Sequence, residues 1–380
     1  MKKLLLLLVV LFVLVACGSK EAAPVEDVSE PESTLTEEVV VEEPAVEEVE
    51  VEPTEPTELT LMTHDSFAIS EGVLIAFEEE HNAKIMLLPS GDTGAALNQA
   101  ILAKDNPLAD VFFGVDNTFL GRALESDIFE AYASPALADI DDTLKLDSSN
   151  QLLPVDYGDV CINYDKSWLI ENGLDAPTNL RELTDPLYES LLVVENPATS
   201  SPGLAFMLAT ISEFGTEGDY TYLDFWADLR TNDVLVTNGW EDAYYGSFSV
   251  ASDGERPLVV SYASSPPAEF IYADPPVDES PSASLVAPGM CFRQIEFVGI
   301  LQGTEQRELA ETFVDYMLSQ SFQEDIPLNM FVFPANQNAE LPQEFFDWAQ
   351  IPDESASVDP ADIDAHRDEW IEAWTEVVLR

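Results

Sequence analysis

Short apolar runs of strand length alternate with longer segments whose apolar positions recur at helical spacing. In the first part of the chain this pattern predicts strands at Leu59–Thr63, Lys84–Leu88 and Asp110–Gly114, and helices at Gly72–His81, Thr93–Lys104 and Asn117–Glu125. A strand that is regularly followed by a helix is typical of parallel sheets with helices on both faces. The pattern therefore predicts an α/β unit with a mostly parallel sheet.

The alternation returns after a long predicted strand, Pro154–Tyr164, which Gly158 interrupts. Thr178 is predicted to cap a helix that runs to Leu183. The later predicted elements are strands at Leu191–Glu195, Val234–Thr237 and Leu258–Tyr262, and helices at Gly203–Glu213, Tyr220–Thr231, Gln306–Ser319 and Pro360–Val377. Residues 59–380 are enough for two lobes, each with its own core.

The first 58 residues follow a different pattern. A basic start, Met1–Lys3, precedes the apolar run Leu4–Val15, and Ala16–Ser19 closes it with small residues and a cysteine. This order is typical of a signal peptide, here residues 1–16, and resembles a bacterial lipobox in which Cys17 becomes the lipidated first residue. The alternative is an ordinary signal peptide cleaved nearby, and both predict export to the cell envelope, anchored at the outer face of the membrane or in the periplasm.

Residues 17–58 are rich in Glu, Val, Pro and Thr and contain no aromatic residue after the signal. Self-repelling, proline-interrupted sequence of this kind does not bury enough apolar surface to fold, so we expect a disordered tether. The whole chain has 73 acidic and 15 basic residues, for a net charge of −58. Binding to nucleic acid needs basic residues that neutralise phosphates, so this charge argues against a nucleic-acid partner.

Cys161 and Cys291 both lie in strand-like runs, DVCINYD and MCFRQIEF. In an exported protein such cysteines either pair or stay buried as small apolar side chains. A disulfide between adjacent strands is therefore one of two predicted outcomes.

Sequence motifs of common hydrolases and metal enzymes are absent, including HExxH, CxxC, GxSxG and GK[ST]. This absence predicts a protein that is not an enzyme, with no metal and no cofactor. Polar turns follow the predicted strands instead, at Thr63–Phe67, Gly91–Gly94, Asp116–Asn117, Asp156–Gly158, Thr199–Gly203 and Tyr262–Ser265. Ligands of open α/β sheets bind at such strand ends.

Aromatic side chains gather in residues 235–267, where Trp240, Tyr244, Tyr245 and Tyr262 lie between two turns. Rings of this kind stack on flat cations. Carboxylates at the ends of first-lobe strands, Asp65, Asp92 and Asp116, complete a candidate cation site. Separately, Ser201 is predicted as a helix N-cap with Pro202 as the first helical residue, and free N–H groups at such a start attract anions.

Seven motifs carry a family resemblance: THDSFA, ADVFFGVDN, PVDYG, NPATSSPGLAF, VTNGWEDAY, LVVSYASSP and FPAN. Their order and spacing over Leu59–Arg380 resemble the thiamine-binding substrate-binding proteins of ABC importers. The resemblance implies a two-lobed, type II periplasmic binding protein, in which each lobe is a mostly parallel sheet flanked by helices and the ligand lies in the inter-lobe cleft. It also implies a monomer that closes over thiamine or its phosphates and delivers it to a membrane permease.

The resemblance assigns residues 59–156 and 293–334 to lobe 1, and residues 157–292 and 335–380 to lobe 2. The hinge is then predicted at Asp156–Gly158 and Gln294–Glu296. The implied ligand-binding residues are Asp65, Ser66, Asp116, Ser200, Ser201, Gly203, Trp240, Tyr244, Tyr262 and Ser264. Aromatic positions of the family are occupied here by His64, Glu71 and Phe331.

Two other ligand classes fit the same architecture. The adjacent pair Tyr244 and Tyr245 is of the kind that ferric-ion binding proteins use, because hard cations favour oxygen ligands. A polyamine binder would use the carboxylates and needs no planar ring.

Overall fold

The computed structural model describes residues 55–380. The predicted signal peptide, the lipidation site at Cys17 and almost all of the predicted tether lie outside the described residues. The predicted tether ended at residue 58, but the first strand begins at Thr57. Thr57 and Glu58 pair with Ala83 and Lys84 of the neighbouring strand, so the ordered body starts earlier than the charge pattern suggested.

The strands are β1 Thr57–Thr63, β2 Ala83–Pro89, β3 Val111–Asp116, β4 Phe129–Glu130, β5 Leu153–Asp165, β6 Leu192–Glu195, β7 Leu235–Thr237, β8 Leu258–Tyr262, β9 Ser282–Leu285, β10 Phe292–Leu301 and β11 Phe333–Pro334. The α-helices are α1 Glu71–His81, α2 Thr93–Leu102, α3 Leu120–Glu125, α4 Lys166–Asn172, α5 Ser201–Phe214, α6 Tyr222–Thr231, α7 Trp240–Ser247, α8 Pro266–Ile271, α9 Arg307–Met317, α10 Gln320–Gln323, α11 Ile326–Asn329, α12 Gln343–Trp348 and α13 Pro360–Val378. Short 3₁₀ helices cover Pro135–Asp139, Asp142–Leu144, Leu180–Thr184 and Pro186–Tyr188.

The strands form one mixed sheet in the order β2-β1-β3-β10-β5-β8-β6-β7. Two parallel sets lie at its ends: β2, β1 and β3 build the first lobe, and β8, β6 and β7 build the second. The long central strands β10 and β5 run antiparallel to their neighbours. This arrangement confirms the predicted α/β architecture with two mostly parallel lobes.

Two adjacent strands, β5 and β10, connect the lobes. β10 pairs with β3 of the first lobe, β5 pairs with β8 of the second, and the two pair with each other. In their ladder Asp156 lies opposite Glu296 and Gly158 lies opposite Gln294, and the register shifts after Glu296. The two predicted hinge segments are therefore direct neighbours, while the lobe boundaries and the hinge motion stay predictions.

A disulfide joins these two connecting strands. Cys161 lies in β5, Cys291 immediately precedes β10, and both are fully buried. Their Cα atoms are 4.3 Å apart and 130 positions apart in sequence. Of the two predicted outcomes for the cysteines, the structure has the disulfide.

The start of α5 differs by one residue from the prediction. Ser200 has extended backbone angles and is the N-cap, whereas Ser201 is already the first helical residue and Pro202 the second. Proline fits either position because the N–H groups of the first turn have no partner within the helix. The predicted cap at Ser201 is therefore wrong by one position.

The predicted helix cap at Thr178 is also wrong. A 3₁₀ helix begins at Leu180, and Asn179 accepts the hydrogen bond from the Glu182 N–H. The Thr178 hydroxyl instead donates to the Glu182 carboxylate, 3.0 Å away. Asn and Thr are both good caps, and the sequence alone did not decide between neighbours.

Among residues 55–380, strand β2 pairs with β1 alone and so forms an edge of the sheet. Its side chains Met86 and Leu87 are 45% and 44% exposed. At the far end of the chain, α13 packs on α6, where Trp374 and Trp226 meet with ring centroids 5.4 Å apart. Within residues 55–380 no helix combines the length and apolar character that crossing a membrane requires.

Candidate functional site

A cavity of about 470 Å³ lies where the two lobes face each other. Its walls come from the turns after β1 and β2 in the first lobe and from the turns after β6, β7 and β8 in the second. Residues 329–332, which include the last residue of α11 and the three that follow it, also line the cavity. The volume falls in the range of small-molecule sites, roughly 300–1,000 Å³.

The cavity wall is acidic. Five carboxylates line it, namely Asp65, Asp92, Glu241, Asp242 and Glu296. None of the lining residues, all of which lie in the described part of the chain, is Lys or Arg. Burial raises the pKa of Glu241, and nearby carboxylates add to this rise. Uncompensated negative charge in a partly dry cleft favours a positively charged ligand.

Aromatic rings supply much of the remaining wall. Trp240 stacks on Tyr244 with ring centroids 4.7 Å apart and an angle of 19° between the planes. The Trp240 indole N–H donates to the Ser261 hydroxyl at 3.0 Å, which fixes the ring plane. Tyr262 and Phe331 also line the cavity. Flat π surfaces beside carboxylates are suited to a planar cation.

Asp92 lies where three helices begin. It is the N-cap of α2, with Oδ1 2.7 Å from the Thr93 N–H. The same Oδ1 accepts from the Ser201 N–H at 3.2 Å, and Oδ2 accepts from the Trp240 N–H at 3.0 Å. Burial raises the pKa of Asp92, and these backbone hydrogen bonds oppose the rise. The first N–H of α5, which the sequence suggested for an anionic ligand group, is thus bound by a carboxylate of the protein.

Glu296 of the cavity wall lies opposite a sixth carboxyl group, Asp156, where the two connecting strands β5 and β10 pair. Burial is the main cause that raises the pKa of Asp156 to about 7. Burial also raises the pKa of Glu296 well above its usual value, and the neighbouring Asp156 adds to that rise. His64 Nε2 lies 3.4 Å from Glu296 Oε1, and burial lowers the pKa of His64 to about 4, so His64 is neutral near pH 7.

Six of the ten sequence-predicted ligand-binding residues line this cavity: Asp65, Ser66, Ser201, Trp240, Tyr244 and Tyr262. They come from the first turn of the first lobe and from the ends of three second-lobe strands. The structure therefore brings together the carboxylate and the aromatic groups that the sequence placed far apart. Their contact with a ligand stays a prediction.

The other four predicted residues are buried behind the wall. Asp116 accepts hydrogen bonds from the N–H groups of Thr118 and Phe119 before α3, and burial raises its pKa to about 6. Ser200 and Ser264 are fully buried. At Gly203 an added Cβ would lie 2.5 Å from the backbone oxygen of Glu195, so glycine lets α5 pack against the end of β6.

Two of the three positions that depart from the family pattern, His64 and Phe331, line the cavity. Glu71 is instead the first residue of α1 and is not among the lining residues. Phe331 has a positive φ of 57°, an unusual backbone conformation for a bulky residue. Its ring lies parallel to Phe345, which holds it at the cavity edge.

The ligand-binding residues implied by the family resemblance did not include four wall carboxylates, Asp92, Glu241, Asp242 and Glu296, although Asp92 was part of the candidate cation site. Two of them carried a usable signal. Glu296 is a charged residue within the apolar run of β10, and burying such a charge requires a reason. Asp92 had been recognised as a strand-end carboxylate, but its contacts with α5 and α7 depend on chain segments more than a hundred residues away.

The adjacent tyrosines Tyr244 and Tyr245 do not present two free phenol groups. Tyr244 is 1% exposed, and its hydroxyl donates to Glu269. Tyr245 is 51% exposed, and the two rings are nearly perpendicular. Within residues 55–380 no cluster of three or more His, Cys, Asp or Glu side chains is arranged to hold a metal ion.

Comparison with known proteins places this site in context. The model of the bacterial extracellular solute-binding protein family matches residues 106–352. The thiamine-binding periplasmic protein of Escherichia coli is 30% identical over 326 residues, which cover 85% of this chain and 94% of that protein. The family resemblance inferred from the motifs is thereby confirmed.

Solved structures agree with the observed architecture. A periplasmic thiamin binding protein has a TM-score of 0.75 at 28% identity and covers 86% of this chain and 97% of its own. Iron-bound HitA from Pseudomonas aeruginosa has a TM-score of 0.67 at 17% identity, with coverage of 85% and 99%, and at that identity supports the fold alone. The chain therefore belongs to the bacterial extracellular solute-binding protein family and has its two-lobed, type II α/β fold.

Proposed function

We propose that this protein captures thiamine, or its phosphates, in the cavity between its lobes and delivers it to an ABC importer. The observation that carries the proposal is the composition of the cavity wall, where stacked aromatic rings stand beside five carboxylates with no Lys or Arg among the lining residues. Thiamine has two flat aromatic rings joined by a methylene bridge, and its thiazolium ring is permanently positive, so it needs both kinds of surface. Two relatives, of whose sequences the match to this chain covers 94%, are named as thiamine-binding proteins.

The rings and the carboxylates have different roles in this proposal. Trp240, held by Tyr244 and Ser261, offers a fixed π face for one ring of the ligand. Glu296 and Asp65, both in the cavity wall, complement the positive charge. A cation over an aromatic face contributes about 0.5–2 kcal/mol, so several such contacts are needed for tight binding. Thiamine is cargo here, and the proposal involves no catalysis and no cofactor.

Calorimetric titration of the purified full-length protein with thiamine tests the proposal. We expect saturable binding at micromolar concentration or tighter, equivalent to about 8 kcal/mol. Thiochrome, the neutral oxidised form of thiamine, is the uncharged control, in which the two rings are fused into one planar system. Equal binding of both compounds would contradict recognition of the cation.

Replacement of Trp240 by alanine is expected to weaken thiamine binding at least tenfold, about 1.4 kcal/mol, because the stacking face is lost. Trp240→Phe keeps a ring at this position and should retain most of the affinity. Titration calorimetry of both variants measures the difference. An affinity unchanged in Trp240→Ala would remove this side chain from the ligand contacts.

The two rival ligand classes give distinct results in the same experiments. Ferric iron bound through phenolates would produce a visible charge-transfer band on titration, although the Tyr244 hydroxyl is already engaged by Glu269. A polyamine would bind the carboxylates equally well after Trp240→Ala, because it has no ring to stack. Binding of spermidine but not thiamine would replace the proposed ligand.

We further propose that the protein is held at the membrane through lipid on Cys17, with residues 18–56 as the tether. The sequence around Cys17 supports this proposal. Mass analysis of the membrane-extracted protein tests it, since an unmodified Cys17 would exclude the anchor. A tethered monomer would keep the binding body close to its permease.

A further inference from the structure

The turn after β2 connects the two lobes through a single side chain, Asp92. Asp92 belongs to the first lobe, where it caps α2. Its two carboxylate oxygens accept hydrogen bonds from Ser201 and Trp240, the first residues of two second-lobe helices, α5 and α7. One carboxylate is therefore shared by three helix starts that come from both sides of the cleft.

Each of these contacts is favourable for a physical reason. The first N–H groups of a helix have no partner within the helix, and a helix start carries partial positive charge. A carboxylate that accepts from two such groups satisfies two partly buried donors and complements two helix dipoles. Hydrogen bonds to a charged acceptor are stronger than neutral ones. These contacts form only when the two lobes are close together.

The surrounding packing agrees with this geometry. At Gly94, two residues beyond Asp92, an added Cβ would lie 3.0 Å from the backbone oxygen of Thr199 in the second lobe. The hydroxyl oxygens of Thr93 and Ser201 are 3.4 Å apart across the same boundary. The α2 start is thus seated closely against the loop that leads into α5.

We propose that Asp92 is a latch that stabilises the closed arrangement of the lobes both with and without ligand, and that it acts by positioning the second-lobe helices rather than by binding the ligand through a contact of its own. The test of this proposal by ligand dissociation rests on the proposed function, because it uses thiamine as the ligand. The link that Asp92 makes from the first lobe to α5 and α7 does not depend on which ligand binds. The same link positions Trp240, because the Asp92 bond is made to that residue's own backbone N–H.

Asp92→Asn is the sharpest test. Asparagine is as good an N-cap as aspartate, so α2 keeps its first hydrogen bond. The side-chain oxygen of asparagine can still accept from Thr93 and Ser201, but its amide nitrogen would face the Trp240 N–H and cannot accept. The variant therefore breaks the link to α7 and removes the charge, while the fold of the first lobe is retained.

Asp105→Asn is the matched control, because it makes the same substitution at an exposed first-lobe carboxylate outside the cavity wall. Loss of a hydrogen-bonded charge that links two surfaces acts mainly on the dissociation rate. For Asp92→Asn we expect thiamine to dissociate about tenfold faster or more, and for Asp105→Asn we expect the wild-type dissociation rate. Equal dissociation rates in the two variants and the wild type would overturn the latch.

Hydrogen exchange of the ligand-free protein separates this inference from the proposed function. The latch predicts slow exchange of the Ser201 and Trp240 amides in the wild type and fast exchange of the Trp240 amide in Asp92→Asn, measured by mass spectrometry on peptides that contain them. Fast exchange at Trp240 in both proteins would contradict the latch even if thiamine binds. Failure to bind thiamine, with the exchange difference present, would reject the proposed ligand and keep the latch.

Discussion

Replacement of both Cys161 and Cys291 by alanine is expected to lower the free energy of unfolding by up to about 5 kcal/mol. The disulfide joins residues 130 positions apart, and a cross-link over such a long loop strongly restricts the unfolded chain. Folded proteins have only about 5–15 kcal/mol of stability in total, so the double variant should unfold at much lower denaturant concentration. Guanidinium titration, extrapolated linearly to water, measures the change.

Loss of two buried sulfur atoms also contributes to this destabilisation, because both cysteines are fully buried. Reduction of the wild-type protein separates the two effects, since the reduced protein keeps both sulfurs and lacks only the bond. We expect the reduced wild type to lose most of the same stability. Equal stability of the reduced and oxidised proteins would show that the unfolded state is not restricted by this bond.

The second large effect is a fall in stability as pH rises from about 4 to about 7. Burial is the first cause that raises the pKa of Asp116 from 3.8 to about 6 and that of Glu269 from 4.5 to about 7. Between these values the unfolded chain releases protons that the folded protein still holds, so unfolding becomes easier as pH rises. The contribution is fully present below about pH 4 and is lost above about pH 7. Each group accounts for about 3 kcal/mol by this relation.

Calorimetric melting at pH 5 and pH 8, at equal ionic strength, checks this direction. We expect the higher melting temperature at pH 5. Glu269→Gln should flatten the pH dependence of the melting temperature, because glutamine does not titrate. The variant should still fold, since Gln keeps an acceptor for the Tyr244 hydroxyl and can donate to Ser282. A melting temperature that rises with pH would mean that these carboxyl groups are ionised in the fold.

Bound thiamine should reverse part of this trend. Burial and the neighbouring Asp156 raise the pKa of Glu296, which lines the cavity. A cation beside Glu296 favours its ionised form, so affinity should increase as pH rises. The thermal stabilisation by saturating thiamine is therefore expected to be larger at pH 8 than at pH 5.

Hydrophobic periodicity was sufficient to predict most of the parallel strands and their helices. The first lobe follows the simple strand–helix alternation, and β1, β2 and β3 lie within two residues of their predicted bounds. Helix α7 was missed because its eight residues include Gly246 and three large aromatics, and Gly239 directly precedes it, a composition that does not indicate a helix. What makes it a helix is its packing on β6 and β8.

The sequence predicted which kinds of side chain form the site, but not which of them contact one another. Trp240 and Asp65 were found because aromatic and acidic residues follow predicted strands. The bond between Asp92 and Trp240 spans 148 positions and depends on how the lobes meet, which no local pattern contains. Likewise, Asp156 and Glu296 were known as members of the connecting strands, but their opposition depends on the register of β5 and β10.

The exposed edge strand β2 has a consequence for how copies of this protein behave at high concentration. In the described part of the chain the outer edge of β2 is unpaired, and such an edge with apolar side chains such as Met86 and Leu87 invites sheet addition by another chain. The net charge of −58 makes copies repel one another. Colloidal stability is thus electrostatic in origin, and strong salt or acid that neutralises this charge removes the barrier to edge-to-edge assembly.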